Sequence, residues 1–379
     1  MLIQRYFLTA LLSAWLPMAG IAQDLDAPAR LNDGWPVASP TEAGLDPDAL
    51  IELTSLIDAA VSYPNVHALL ITHQGRLVFE HYWPGEDQPI LRPSRGTIPF
   101  GPDTPHDIRS ISKSVTSLLL GIALGTTTDK ALDRPISSFF PDRTALGSGL
   151  ETVTLHHVLT MTAGLDWNEE IVHYSSPDND FIRMTNSDDP VGFILSKPLR
   201  HAPGDRWIYH SGLTELAADI IETLTGMPLT DYAEQMLFAP LGIDNYTWWR
   251  PDAWDPQGIP NASAGLRLRA RDLAKIGSLI LHHGTWQGQQ IVPADWITTS
   301  TTQHVDNPWG RFGYGYFWSP GTLISGEPTI AAFGSGGQRL YVLPDADLTI
   351  TIFAGNYDGC CPDLGERIAG RIVRAIRER

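Results

Sequence analysis

His106-Asp107-Ile108-Arg109-Ser110-Ile111-Ser112-Lys113 leads into Ser114-Val115-Thr116-Ser117-Leu118-Leu119-Leu120-Gly121-Ile122-Ala123-Leu124, and this stretch decides the fold. Its apolar side chains recur at helical spacing, which predicts a buried amphipathic helix over Ser110–Leu124. Ser110 opens that helix and Lys113 follows one turn later, so their side chains lie on one face. A serine hydroxyl becomes nucleophilic when a base accepts its proton, and a lysine can do so when burial favours its neutral form. The stretch therefore predicts a serine nucleophile with a lysine partner.

Two later segments carry further polar groups of the kind that acyl transfer needs. Trp207-Ile208-Tyr209-His210-Ser211-Gly212 precedes a predicted helix, and Phe333-Gly334-Ser335-Gly336-Gly337-Gln338 opens a predicted strand. Each segment alone has an ordinary explanation, because Ser-x-x-Lys pairs occur on solvated helices, tyrosines pack in cores and glycine runs form turns. Their occurrence together, in this order, favours a catalytic interpretation.

In order and spacing, these segments resemble the three sequence boxes of the serine β-lactamase and penicillin-binding-protein superfamily. The chain is most similar to class C β-lactamase-related hydrolases, including family VIII esterases and 6-aminohexanoate-dimer hydrolases. The resemblance runs from about Gly44 to the C-terminus. It implies a β-lactamase-like fold: an antiparallel sheet flanked by helices, with an inserted helical domain.

The resemblance also assigns roles to individual residues. Ser110 would be the acylated nucleophile, Lys113 its base partner, and Tyr209 would share proton transfer to the leaving group. Ser211 stands where lactamases usually have asparagine, and it would hold the lysine or a substrate amide. The backbone N–H groups of Ser110 and Gly337 would form the oxyanion hole. The remaining residues implied to bind substrate are Ser335, Gly336 and, by analogy with the aminohexanoate-dimer hydrolases, Tyr174, for which a surface-loop position is the alternative.

The third segment departs from the family pattern. Gly334-Ser335-Gly336 stands where lactamases begin with lysine, so the cation expected to meet a β-lactam carboxylate is missing. This favours hydrolysis of neutral esters or of linear and small cyclic amides. Two alternatives stay open: a β-lactamase or D-alanyl-D-alanine peptidase, and a non-catalytic binding protein of the same fold. A Gly-x-Ser-x-Gly or His-Glu-x-x-His motif is missing, which disfavours an α/β-hydrolase or a zinc peptidase.

The order of the predicted elements indicates two domains. Helix and hairpin patterns precede Ser110, helical patterns dominate the middle, and strand patterns return near the C-terminus. Strands at both ends predict an α/β domain formed from 23–125 and 310–379, with a mainly helical domain, 126–309, inserted between them. The cleft between the two is the expected site.

The N-terminus has the pattern of a secretory signal. Arg5 precedes an apolar run, Tyr6 to Met18, and small residues follow at Gly20 and Ala22. The alternative, a membrane anchor, is disfavoured because the run contains Pro17 and is shorter than the roughly 20 residues that span a bilayer. We expect Met1–Ala22 to be removed and the protein to be secreted or periplasmic.

Composition limits the partners. A formal charge of −17 would repel nucleic acid, so a small-molecule or short peptide-like substrate is expected. The two cysteines, Cys360 and Cys361, are adjacent and cannot form a spaced thiolate metal site, so no metal or cofactor is predicted. Whether they pair or stay reduced, and how many subunits assemble, the sequence leaves open.

Overall fold

The computed structural model describes residues 25–125, 128–143, 146–308 and 310–376. The predicted signal segment, Met1–Ala22, lies outside these residues. The α-helices of the described chain are α1 Pro47–Asp58, α2 Ile111–Leu124, α3 Thr128–Leu132, α4 Leu155–Leu159, α5 Asp180–Thr185, α6 Pro190–Leu195, α7 Gly212–Thr225, α8 Leu229–Ala233, α9 Ala270–Leu281, α10 Ala294–Thr301 and α11 Leu364–Ala375.

The strands form one large sheet and smaller ones. They are β1 Val66–His73, β2 Arg76–Tyr82, β3 Gly85–Glu86, β4 Thr97–Ile98, β5 His106–Asp107, β6 Thr247–Trp248, β7 Leu266–Leu268, β8 Thr285–Trp286, β9 Gln289–Gln290, β10 Ser319–Thr322, β11 Pro328–Gly334, β12 Gln338–Leu343 and β13 Leu348–Ala354. The large sheet has the order β10-β11-β12-β13-β1-β2, and every neighbouring pair is antiparallel.

The large sheet joins the two ends of the chain. β1 pairs with β13 along its length, from Val66 opposite Ala354 to His73 opposite Leu348. A sheet built from both ends with helices between them is the predicted fold class, which is therefore confirmed. The domain limits stay a prediction, and α9 shows how the parts interlock: although it belongs to the middle of the chain, it packs against β1, β12 and β13.

Helices cover both faces of this sheet, which explains why β1 is buried at every position. Side chains alternate across a strand, so Leu69 and Ile71 face the opposite way from Leu70. Leu69 and Ile71 belong to the apolar cluster that contains side chains of α1 and α11. Leu70 belongs to the larger cluster on the other face, which contains α2, α7 and α9.

Helix α2 lies in this larger cluster and is buried almost throughout. A glycine in this helix permits close packing. A Cβ on Gly121 would lie 2.1 Å from the indole ring of Trp296 on α10, so a larger residue would not fit there. Helix α7 packs along α2. Because α2 also contacts β11 and β12, it is packed between the large sheet and the neighbouring helices, and this packing positions its first turn.

Two further findings concern the remaining residues. Cys360 and Cys361 are joined by a disulfide, the paired alternative of the two left open by the sequence. Within the described residues, the helices are all too short or too polar to cross a membrane.

Candidate active site

A strained turn presents Ser110 at the start of α2. Arg109 has φ 51°, in the left-handed region that non-glycine residues seldom adopt, and Ser110 returns at once to helical geometry with φ −63° and ψ −8°. The Ser112 hydroxyl holds the turn by donating to the Arg109 carbonyl at 2.6 Å. Such strain persists where surrounding contacts fix it, and it is common at functional sites.

Three groups from distant parts of the chain meet at the Ser110 hydroxyl. Tyr209 donates its hydroxyl to Ser110 Oγ at 2.6 Å, and Lys113 Nζ donates to the same oxygen at 3.2 Å. Lys113 is 2% exposed, and its Nζ lies 4.8 Å from the centre of the Tyr209 ring. The serine oxygen is thus in contact with two groups that can move a proton.

The chain around Ser263 holds the lysine from the other side. Lys113 Nζ donates to the Ser263 carbonyl at 2.9 Å. The carboxylate of Glu215, on α7, accepts the backbone N–H groups of Ala262 at 2.9 Å and Ser263 at 3.0 Å. Glu215 is fully buried, and burial raises its pKa to about 7, although these hydrogen bonds and Lys113 oppose the rise.

A second buried carboxylate, Glu169, organises the segment that contains Tyr209. It accepts the Trp167 indole N–H at 2.8 Å, and it accepts the backbone N–H and hydroxyl of Ser211 at 2.8 Å and 2.6 Å. The Tyr174 hydroxyl also donates to it, at 2.9 Å. The predicted role of Ser211 as a partner of the lysine is therefore not the contact seen here: Ser211 binds Glu169, and Ser263 holds Lys113.

Tyr174 lies at the mouth of the site. Its side chain is 44% exposed, but its hydroxyl is directed inward to Glu169. Burial of that hydroxyl and the neighbouring Glu169 carboxylate raise the pKa of Tyr174 above its usual value. Glu170 follows Glu169 in the chain, and part of its surface is exposed to solvent. Partial burial of its carboxyl group in the cleft, together with the charge of Glu169, raises its pKa to about 7.

The third predicted segment forms the turn between β11 and β12. Gly336 and Gly337 have φ of 87° and 94°, which suits glycine. A Cβ on Gly336 would lie 2.3 Å from the Tyr357 ring, and one on Gly337 would face Ala354 at 3.0 Å. Both glycines are thus packed behind the turn, whereas Ser335 lines the cavities beside Ser110.

Two cavities meet at the nucleophile. The first lobe, of about 360 Å³, is lined by Ile90, Arg109, Phe181 and Tyr357 among others. The second lobe, of about 340 Å³, is lined among others by Lys113, Glu170, Tyr209, Phe317 and Arg339. Ser110, Tyr174 and Ser335 border both lobes. Such a cleft can hold one part of a substrate on each side of a reacting carbonyl.

The cleft presents a nucleophile and proton carriers rather than metal ligands. A search of the described residues for groups of three or more His, Cys, Asp or Glu side chains that could hold a metal finds none. The arrangement is suited to covalent acyl transfer.

Comparison with known proteins identifies the family of the chain and agrees with its fold. The family model described as Beta-lactamase matches residues 54–357. The 6-aminohexanoate-dimer hydrolase of Paenarthrobacter ureafaciens is 25% identical over 336 residues, which cover 83% of this chain and 78% of that protein. Esterase EstB of Burkholderia gladioli is 27% identical over 221 residues, 54% of each chain.

A solved structure shows the same fold. The octameric penicillin-binding protein homologue from Pyrococcus abyssi superposes with a TM-score of 0.66 at 21% identity, over 86% of this chain and 77% of that one. At this identity the likeness concerns the fold alone.

Proposed function

This chain belongs to the beta-lactamase family and is a serine hydrolase, and from that premise we propose that it cleaves an ester or amide bond through an acyl-enzyme on Ser110. The observation that carries the proposal is the double contact at the nucleophile. Ser110 Oγ lies 2.6 Å from the Tyr209 hydroxyl and 3.2 Å from Lys113 Nζ. Both groups are within the range in which a general base or acid acts.

The first half of the reaction forms the acyl-enzyme. Ser110 Oγ attacks the substrate carbonyl, and its proton passes to the Lys113–Tyr209 pair. Lys113 is buried, and its Nζ lies 3.2 Å from Ser110 Oγ, so it is placed to exchange a proton with the serine. When the tetrahedral intermediate collapses, the same pair returns the proton to the departing alcohol or amine.

The oxyanion of that intermediate needs two donors. The backbone N–H of Ser110, at the start of α2, is one. For the second donor we propose the backbone N–H of Gly337, in the turn between β11 and β12. In the second half-reaction, water takes the place of the leaving group, gives a proton to the pair and releases the acid and free Ser110.

The lining of the site supports esters and non-β-lactam amides as substrates. Gly334 provides no cation where lactamases carry the third-box lysine. The relatives named above are an amide hydrolase and an esterase by name. We therefore expect hydrolysis of short p-nitrophenyl esters, with nitrocefin turned over slowly or not at all.

Active-site labelling tests the proposal. Purified protein is treated with a fluorophosphonate, and the intact mass is read for the wild type and for Ser110→Ala. We expect one adduct, lost in Ser110→Ala together with p-nitrophenyl butyrate hydrolysis. Ester turnover that survives Ser110→Ala would refute the nucleophile, and an unlabelled, inactive wild type would favour the binding-protein alternative. Rapid nitrocefin hydrolysis would instead favour a β-lactamase.

We also propose that the enzyme is exported, because Met1–Ala22 has the pattern of a secretory signal. Mass spectrometry of the protein from a periplasmic or culture fraction tests this. A mature N-terminus close after Ala22 is expected, whereas intact Met1 in the cytosolic fraction would contradict export.

A further inference from the structure

We propose that Arg109 binds a carboxylate at the far end of the substrate's acyl group, so that preferred substrates are esters or amides of dicarboxylic acids. This inference rests on the proposed acyl-enzyme mechanism and names the acyl class for the same site. It is carried by the position of Arg109, by the contacts that fix its guanidinium and by the charges around it.

Arg109 immediately precedes the nucleophile and lines the first lobe together with Ser110. Its side chain is 12% exposed. Because both residues border one cavity of about 360 Å³, a group bonded to the guanidinium shares that cavity with the acyl chain. A carboxylate there is therefore reached by a short chain.

The guanidinium is held in place before any substrate binds. Its Nη2 donates to the Gln88 carbonyl at 2.6 Å, its Nε lies 3.4 Å from Asp107 Oδ2, and its Cζ stands 4.5 Å from the centre of the Tyr357 ring. Tyr357 also hydrogen-bonds the guanidinium, and Nε is buried without a hydrogen-bond partner among the described residues. A guanidinium that is already fixed loses little freedom when it binds a carboxylate.

The ion-pair cluster around Arg109 contains one more guanidinium group than carboxylates. Asp107 is bonded more closely to Arg267, at 2.6 Å, and Arg267 also contacts Asp87 at 2.8 Å. Asp87 in turn contacts Arg95 at 3.2 Å. Two carboxylates thus face three guanidinium groups, and Arg109 has the longest ion-pair distance, 3.4 Å.

The other charged groups of the first lobe have partners of their own. The Glu169 carboxylate accepts four hydrogen bonds, from Trp167, Tyr174 and twice from Ser211. Arg92 is paired with Asp252 at 2.6 Å, a shorter ion pair than the 3.4 Å of Arg109. Of these two guanidinium groups, Arg109 is therefore the more available to an incoming anion.

The second lobe is the place for the leaving group. Lys113 and Tyr209, which return the proton to the leaving group, line the second lobe. The acyl chain then extends into the first lobe, past Arg109.

Matched esters test this inference. We would compare kcat/KM for the mono-p-nitrophenyl ester of adipic acid with that for the p-nitrophenyl ester of monomethyl adipate, which has the same chain without the charge. A charge-assisted hydrogen bond predicts that the wild type prefers the acid by about 10- to 100-fold. In Arg109→Gln this ratio should fall to about 1–3, and in the control Arg200→Gln, which removes a surface arginine paired with Asp166, it should stay within about threefold of the wild-type ratio.

The outcomes separate the inference from the function on which it rests. Turnover of both esters through Ser110 without a preference in the wild type overturns the inference and leaves the hydrolase standing, even if Arg109→Gln fails to fold. A preference that persists in Arg109→Gln also overturns it. If neither ester is hydrolysed and Ser110 takes no fluorophosphonate, the proposed function itself fails.

Discussion

Ser211 donates both its hydroxyl and its backbone N–H to the buried carboxylate of Glu169, at 2.6 Å and 2.8 Å. Ser211 lies two residues after Tyr209, so this double contact fixes the chain that delivers the tyrosine hydroxyl to Ser110. Glu169 also binds Trp167 and Tyr174. One carboxylate thereby links the Tyr209 segment to the wall of the first lobe.

Substitutions at Glu169 should separate its hydrogen bonds from its charge. Glu169→Ala leaves the buried N–H groups of Trp167 and Ser211 without an acceptor, which should cost about 2–5 kcal/mol in the free energy of unfolding. Glu169→Gln should cost less, because its amide can face the two hydroxyls, which can turn and accept. Urea denaturation checks this order, and equal losses in both variants would contradict it.

Tyr209→Phe tests the proton path. The change removes the hydroxyl that lies 2.6 Å from Ser110 Oγ and keeps the ring, so kcat for p-nitrophenyl butyrate should fall about 10²–10⁴-fold with little change in stability. Tyr246→Phe is the matched control, because its hydroxyl bonds the exposed Glu234. A Tyr209→Phe enzyme with near wild-type kcat would remove Tyr209 from the mechanism.

Lys113→Ala should lower kcat by a similar factor, roughly 10²–10⁴. The amine contacts Ser110 Oγ at 3.2 Å and the Ser263 carbonyl at 2.9 Å, and both contacts are lost. The exposed Lys130→Ala serves as the control. Intact-mass labelling is the second measurement: if Lys113→Ala is labelled by fluorophosphonate as fast as the wild type, Lys113 does not assist the attack.

The sequence predicted what depends on local pattern. The periodicity of Ser110–Leu124 predicted the helix, and short apolar runs bounded by turn residues predicted β1, β2, β11, β12 and β13. The strands of the small sheet β5-β7-β6 are two or three residues long, too short for alternation to show, and the sequence did not reveal them.

Some residues around the nucleophile could be predicted from local sequence, and others are brought there only by the fold. Ser110, Lys113 and Tyr209 were predictable because each stands in a recognisable segment. The carbonyl of Ser263 was not, since any residue offers a carbonyl and only the fold brings this one to Lys113. Glu169 was missed because its partners, apart from nearby Trp167 and Tyr174, come from Ser211, 42 residues away. A buried acid next to Trp167-Asn168 gave no signal by itself.

A pair of buried histidines behind the site should make the fold sensitive to acid. His67 Nδ1 lies 3.0 Å from His106 Nε2, and His106 Nδ1 lies 2.9 Å from the Asp107 carbonyl. A carbonyl only accepts, so His106 carries its proton on Nδ1 and accepts from His67 through Nε2. Burial lowers the pKa of His67 to about 4, and burial and His67 together lower that of His106 well below its usual value.

The lowered pKa values of the two histidines determine how the stability of the fold changes with pH. Between the unfolded pKa near 6.5 and the folded pKa, the unfolded chain binds protons that the native state refuses, so stability present above about pH 6.5 is lost as the pH falls toward 4. Glu215 has the opposite effect: its pKa, raised to about 7, adds stability as the pH falls over part of this range. Glu170, whose pKa is also raised to about 7, acts in the same direction as Glu215, whereas burial lowers the pKa of His210 well below its usual value, as it does for the histidine pair. Three buried histidines thus oppose two carboxyl groups, and we expect the midpoint of thermal unfolding to drop between pH 7 and pH 5.

His67→Gln isolates the histidine contribution. Glutamine cannot titrate and can still donate to His106 Nε2, so the variant should lose stability at pH 7.5 but show a flatter decline toward pH 5 than the wild type. The matched control is His283→Gln, which removes an exposed histidine and should leave the slope unchanged. Thermal unfolding followed by circular dichroism at half-unit pH steps measures both slopes. Parallel curves for His67→Gln and the wild type would show that the pair does not set the acid limit, because a group that titrates in the unfolded chain alone must change the slope when it is removed.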